Sequence, residues 1–171
     1  GFLPINPLTA SLFLTAAVCL WLLHDRSHLV WVQKSLAVFI LAAGFIKLLD
    51  DGFGTHFNID SILFSEKLGG NQMAPNSALA FFLIGISLLL LSLKRAIKMA
   101  QLMNFIVLTI VWMAVLGYVY SFLFLYQVGS FPPMSLLTAI SFILLCGGIL
   151  CVTAHEGLMK HLNSPTSAGK I

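Results

Sequence analysis

The side chains of this chain that could do chemistry gather in and beside one stretch, residues 50–72, DDGFGTHFNIDSILFSEKLGGNQ. Lys47, Asp51, His56, Asp60 and Asn76 supply hydrogen-bond donors and charges there. Phe53, Phe57, Phe64, Phe81, Tyr118 and Phe122 are the aromatic residues that could wall them in. An apolar sheath with a few donors suits a membrane-soluble carbonyl compound such as a quinone, and a His with positive helix ends would favour a partly reduced, anionic oxygen. The ligand-binding set expected on these grounds is Lys47, Asp51, His56, Phe57, Asp60, Asn76, Phe81 and Tyr118. Each polar member also has a structural role open to it. Lys47 precedes Asp50 and Asp51 by three and four residues, the spacing of an ion pair on a helix surface, and exposed pairs contribute little. Asn58 or Asp60 suits the N-cap of a short interfacial helix built on Ile59, Ile62, Leu63 and Leu68, and His56 suits a loop.

Other chemistries lack their residues. No GxGxxG, P-loop, HExxH or GxSxG occurs, so no catalytic residue is assigned and the domain itself is not expected to be an enzyme. Cys19, Cys146 and Cys151 lie in apolar runs without a CxxC and read as buried thiols acting as small hydrophobes. His24, His28, His155 and His161 fall at helix ends or in connections and His56 in the loop. A haem held between helices therefore has no axial pair, and no metal site is expected. With mid-span polar residues read as Ser, Thr and Tyr only, a proton or ion pathway has no ionisable relay.

The elements that must position these residues follow from composition. Apolar residues make up 59% of the 171-residue chain and charged residues 9%, with mean hydropathy +0.99. A soluble domain carries about 25% charged residues, so the surface of this one must face lipid. Five runs approach the length of a bilayer-spanning helix: 7–23, 29–49, 76–93, 103–126 and 135–154. Seven of the nine Lys and Arg (Arg26, Lys34, Lys94, Arg95, Lys98, Lys160, Lys170) follow spans one, three and five or sit at their ends. The positive-inside rule puts that side in the cytoplasm. The N-terminus is then outside and the C-terminus inside, with Lys34 snorkelling to the inner headgroups and Trp21 and Trp31 near span ends. The net charge of +3 reflects these basic loops and does not speak of nucleic acid. No signal peptide is read at the start, and the tail 163–171, NSPTSAGKI, reads as a linker.

The odd-numbered spans share a template. Residues 5–13 (INPLTASLF), 73–81 (MAPNSALAF) and 134–142 (MSLLTAISF) each place an apolar residue first, Ser/Thr-Ala four residues on, and Phe four beyond, at offsets of 68 and 61 residues. Pro with Asn, Ser or Thr starts a helix and satisfies N–H groups where water is scarce. Small residues behind them allow close helix approach. The pattern implies an internal helix-pair repeat whose third unit lacks a returning helix, so that a sixth span is expected in an ancestral or longer form.

The run MAPNSALAFFLIGISLLLL at 73–91, preceded by IDSILF at 59–64 and with NPLTA near the start, resembles the N-terminal multi-pass membrane regions of bacterial signalling proteins. Those regions precede histidine kinase, PAS or diguanylate cyclase modules. The resemblance implies a sensory domain, residues 1–162, in the bacterial inner membrane, relaying the state of its ligand to a cytoplasmic output module through span five and its extension 155–162. The expected fold is an all-α membrane bundle of five transmembrane helices. Its expected partners are membrane lipid, a quinone, a cytoplasmic signalling domain and a second copy of the chain. The alternatives are a membrane quinone oxidoreductase subunit, which would need a redox partner, and a structural anchor.

Overall fold

A computed structural model describes residues 5–25, 29–53, 72–120 and 133–162, and the elements assigned there are all helical. They are α1 (Pro7–His24), α2 (Val30–Phe53), α3 (Pro75–Ser92), α4 (Ile97–Val119), α5 (Leu136–Val152) and a short α6 (Gly157–Leu162). By length and composition α1 to α4 can each cross a membrane, and α5 is an apolar helix of 17 residues. At 1.5 Å per residue α5 is about 25 Å long, a little under the ~30 Å hydrocarbon core.

The helix starts explain themselves. Asn6 precedes α1 in extended conformation and its Oδ1 accepts the Leu8 N–H at 2.8 Å. Ser135 does the same for α5, accepting from Thr138 N at 3.2 Å. At α3 the preceding Ala74 offers no side-chain cap, but Pro75 at the first turn removes a donor that would need one. The three starts thus reach one backbone geometry by two chemical routes.

These three helices form the centre. Phe13, Phe81 and Phe142, the last residues of the three template segments, meet one another with ring centroids 4.6–4.9 Å apart. Such tilted pairs add about 0.5–1.5 kcal/mol each beyond area burial. The returning helices seat on the grooves between them: α2 packs on α1 and α3, and α4 on α3 and α5. Matching bonds hold both seats. Cys19 Sγ donates to Gln33 O on α2 at 3.5 Å, and Ser87 Oγ donates to Ala100 O on α4 at 3.1 Å. The third residue at this place of the template is Gly148, where a Cβ would come within 2.9 Å of Leu20 Cδ2. No third returning helix lies there among the described residues. The α1/α5 groove, about 680 Å³ and lined by Ala17, Leu20, Trp21, Leu144 and Gly148, is open.

The tightest approach is between α2 and α3. A Cβ on Gly44 would lie 2.6 Å from Phe82 N, and one on Gly85 would lie 2.6 Å from Leu41 N and Cα. Between apolar helices in lipid, attraction comes from close packing and polar bridges rather than from water exclusion. The glycines supply the first of these.

Several sequence boundaries shift. Helix α2 runs on to Phe53, so Asp50 and Asp51 belong to its last turns and not to the loop. Helix α4 begins at Ile97, six residues before the expected 103, which brings Gln101 inside it along with Asn104, both fully buried. With Gln33, 4% exposed on α2, they add buried carboxamides toward the basic ends of the spans to the Ser, Thr and Tyr expected in mid-span. Cys19 and Cys146 are buried as expected, but Cys151 is exposed. Lys34 Nζ stands 5.5 Å from the centroid of the exposed Trp31 ring. The expected interfacial helix of 59–68 lies outside the described residues.

Candidate functional site

The end of the bundle that carries the N-termini of α1, α3 and α5 holds the one acidic and basic cluster buried among the described residues. Lys47 lies six residues before the end of α2, where its side chain is 1% exposed. Its Nζ is 3.0 Å from Asp51 Oδ1 and 3.8 Å from Asp50 Oδ2, and those carboxylates are 10% and 7% exposed. The i,i+3 and i,i+4 spacing therefore makes the ion pairs the sequence allows, but makes them inside the protein rather than on a helix surface. That reverses their energetic weight. A charge removed from water costs several kcal/mol unless its partners are held close, so each member depends on the others.

The remaining expected residues divide. Asn76, on the first turn of α3, is half-buried at the same end. Tyr118 is half-buried near the end of α4, and its hydroxyl donates to Met134 O at 2.6 Å, tying α4 to the residue before the α5 cap. Replacing Tyr118 with Phe removes the bond to Met134 O. The expected loss is about 1 kcal/mol of stability, read as a small fall in Tm in detergent. Phe81 is fully buried between Phe13 and Phe142, below the helix starts, which gives it a packing role at the bundle centre. His56, Phe57 and Asp60, with Phe64 and Phe122, lie outside the described residues.

The helix starts themselves bring polar groups to this end. Asn6, Thr9, Ser77, Ser135 and Thr138 are each under 9% exposed, and the hydroxyls of Ser135 and Thr138 are hydrogen-bonded to each other at 2.8 Å. Thr9, Ser77 and Thr138 occupy the same template position, so the repeat was the signal that could have named them.

Two polar clusters at the opposite, basic end had no such signal. Gln33 Nε2 donates to Leu22 O at 2.8 Å, closing the last turn of α1. Asn104 Nδ2 donates to Ser87 Oγ at 2.6 Å and to Ala100 O at 2.8 Å, and its Oδ1 has no hydrogen-bond partner among the described residues. A cleft of about 740 Å³ opens at this end among Gln33, Ser92, Lys94, Thr153, His155 and Glu156. Among the described residues no three His, Cys, Asp or Glu side chains come together as a metal site.

No family model, no curated protein and no solved structure matches this chain. The geometry and chemistry of the chain itself are what a functional reading rests on.

Proposed function

We propose that this chain is a membrane-embedded sensory domain that binds a lipid-soluble ligand such as a quinone at its outer end and biases a cytoplasmic output module. The observation that carries the reading is the buried Lys47–Asp50–Asp51 cluster. An ionisable group enclosed in an apolar helical bundle is costly and marks a functional position by default. Here it stands at the end where three helix N-termini, with their positive dipole ends, meet a set of buried hydroxyls. A carbonyl or phenolate oxygen is the ligand chemistry such a place favours. The ligand would act by preferring one packing of the bundle over another.

The proposed topology has five membrane crossings, with the N-terminus outside and the Lys94–Arg95–Lys98 turn inside. The similar starts and matched seats of α1, α3 and α5 support an origin by repetition of a helix pair. Arg95→Cys in a background without the native cysteines gives a direct test of orientation, because the position is exposed in the turn between α3 and α4, outside the apolar helices. A membrane-impermeant maleimide is expected to label it in inside-out vesicles and not in right-side-out ones. Labelling from the outside would reverse the topology.

The ligand is tested by purifying the protein in mild detergent, extracting it with organic solvent and analysing the extract for quinones. A co-purifying quinone, or a Tm raised by added ubiquinone or menaquinone, is expected. Neither result appearing would remove the ligand reading. It would leave the structural anchor, which the internal pairing of Lys47 and the packing roles of Phe81 and Tyr118 favour.

A further inference from the structure

The last apolar helix does not run straight into the segment that leaves the bundle. Helix α5 ends at Val152, the chain turns through 153–156, and α6 starts at Gly157. What holds this turn is a side chain more than fifty residues earlier. Gln101, fully buried on the second turn of α4, donates from Nε2 to Thr153 O and Thr153 Oγ1, both at 3.1 Å, and to Glu156 O at 3.0 Å. Its Oε1 accepts from Leu158 N at 2.6 Å and Met159 N at 3.4 Å. One carboxamide therefore closes the end of α5 and caps the start of α6 together, satisfying backbone groups that both termini leave open. Gly157 completes the fit. Its φ is +58°, and a Cβ there would stand 2.5 Å from Gln101 Oε1, so a side chain would be strained and would also push the carboxamide away.

Thr153 adds its own weight to the junction. Its hydroxyl donates back to Ile149 O at 3.0 Å, so the residue that receives Gln101 is itself fixed to the last turn of α5. Helix α6 packs on α4, and the bonds that seat it come from α4.

We propose that Gln101 is the positioning residue that fastens the exit helix to α4, so that α6 follows α4 when the bundle repacks. Movement of the ligand end would then reach the exit segment through α3 and α4, and α5 would serve as a fixed post against which the turn hinges. The part of this that concerns signalling rests on the sensory reading above. The mechanical tie stands by itself.

The test uses the full chain in detergent or nanodiscs, with Cys19 and Cys146 changed to Ala and Cys151 to Ser. Spin labels at Met99→Cys on α4 and Lys160→Cys on α6, both exposed positions, are expected to give a narrow distance distribution. Gln101→Ala is expected to broaden it and to speed amide exchange at Leu158 and Met159 by about tenfold or more, the loss that removing two hydrogen bonds implies. The bundle itself should stay intact, shown by slow exchange in α1 and α3. Should Gln101→Ala fail to fold, Gly157→Ala perturbs the same contact from outside the long helices and is expected to broaden the same distribution. A narrow, unchanged distribution in a folded variant overturns the proposal. Neither readout involves a quinone or an output module, so failure of the tie and failure of the sensory reading are seen separately.

Discussion

Replacing Lys47 with Met is expected to destabilise the bundle by about 3–5 kcal/mol, the usual cost of removing one partner from a buried ion pair. The side chain is 1% exposed and its ammonium lies 3.0 Å and 3.8 Å from two carboxylates on the next turn. Met keeps most of the volume, so the loss isolates the charge. Two carboxylates would then face each other without the ammonium, in a setting where water screens them poorly. Thermal unfolding in nanodiscs is the measurement, and a Tm equal to that of the unchanged protein would refute the role given to this cluster.

A second variant separates stability from function. Lys47→Met combined with Asp50→Asn and Asp51→Asn removes these three charges together, and replacing paired buried charges jointly is often far less costly than removing one of them. The triple variant is therefore expected to recover much of the lost Tm. Under the sensory reading it should still fail to retain or respond to a quinone. A triple variant that binds quinone like the original protein would detach the ligand from this cluster.

Gly85→Ala is expected to lower stability although Ala is the better helix former. The new Cβ would stand 2.6 Å from Leu41 N and Cα, and backbone atoms of a packed helix cannot step aside as a flexible side chain can. Helix α3 would have to move off α2, in the most extensive helix–helix interface among the described residues. Overpacking of this kind costs about 1–3 kcal/mol, which opposes the ~1 kcal/mol that Ala gains over Gly in a helix. Gly147→Ala is the control. A Cβ there meets nothing within 4 Å, so the helix gain should appear alone and Tm should rise. If both variants shift Tm in the same direction, close packing at Gly85 is not what holds α2 to α3.

Much of the site end was readable because it depends on local spacing. Three and four residues separate Lys47 from its carboxylates, and a helix brings those positions together whatever surrounds it. The common template of the three helix starts likewise pointed to Phe13, Phe81 and Phe142, although only their meeting in space made them a centre. What spacing could not give was burial. In a soluble helix the apolar stripe marks the inner face. Here the lipid-facing side is as apolar as the inside: Leu14 and Leu144 are 71% exposed and Leu12 and Leu88 are fully buried.

The same lack of contrast hid the polar junctions. A hydropathy reading starts the fourth span at the apolar Met103, which leaves Gln101 outside the helix and Asn104 at its edge. In the folded chain the carboxamide of Gln101 is satisfied by Thr153, Glu156, Leu158 and Met159, partners that no local window contains.

Sequence alone therefore determined that the chain is a bundle of apolar helices, where most of them begin, and that the spacing of Lys47 from Asp50 and Asp51 allows an ion pair on a helix. Those follow from transfer of side chains to hydrocarbon and from helix geometry, both local properties. Only the tertiary structure decided that the ion cluster is enclosed, that three phenylalanines share one centre, that α2 lies against α3 through two glycines, and that α6 is fastened to α4. These depend on which helix faces which, and in lipid that choice is made by shape and by polar partners far apart in the chain.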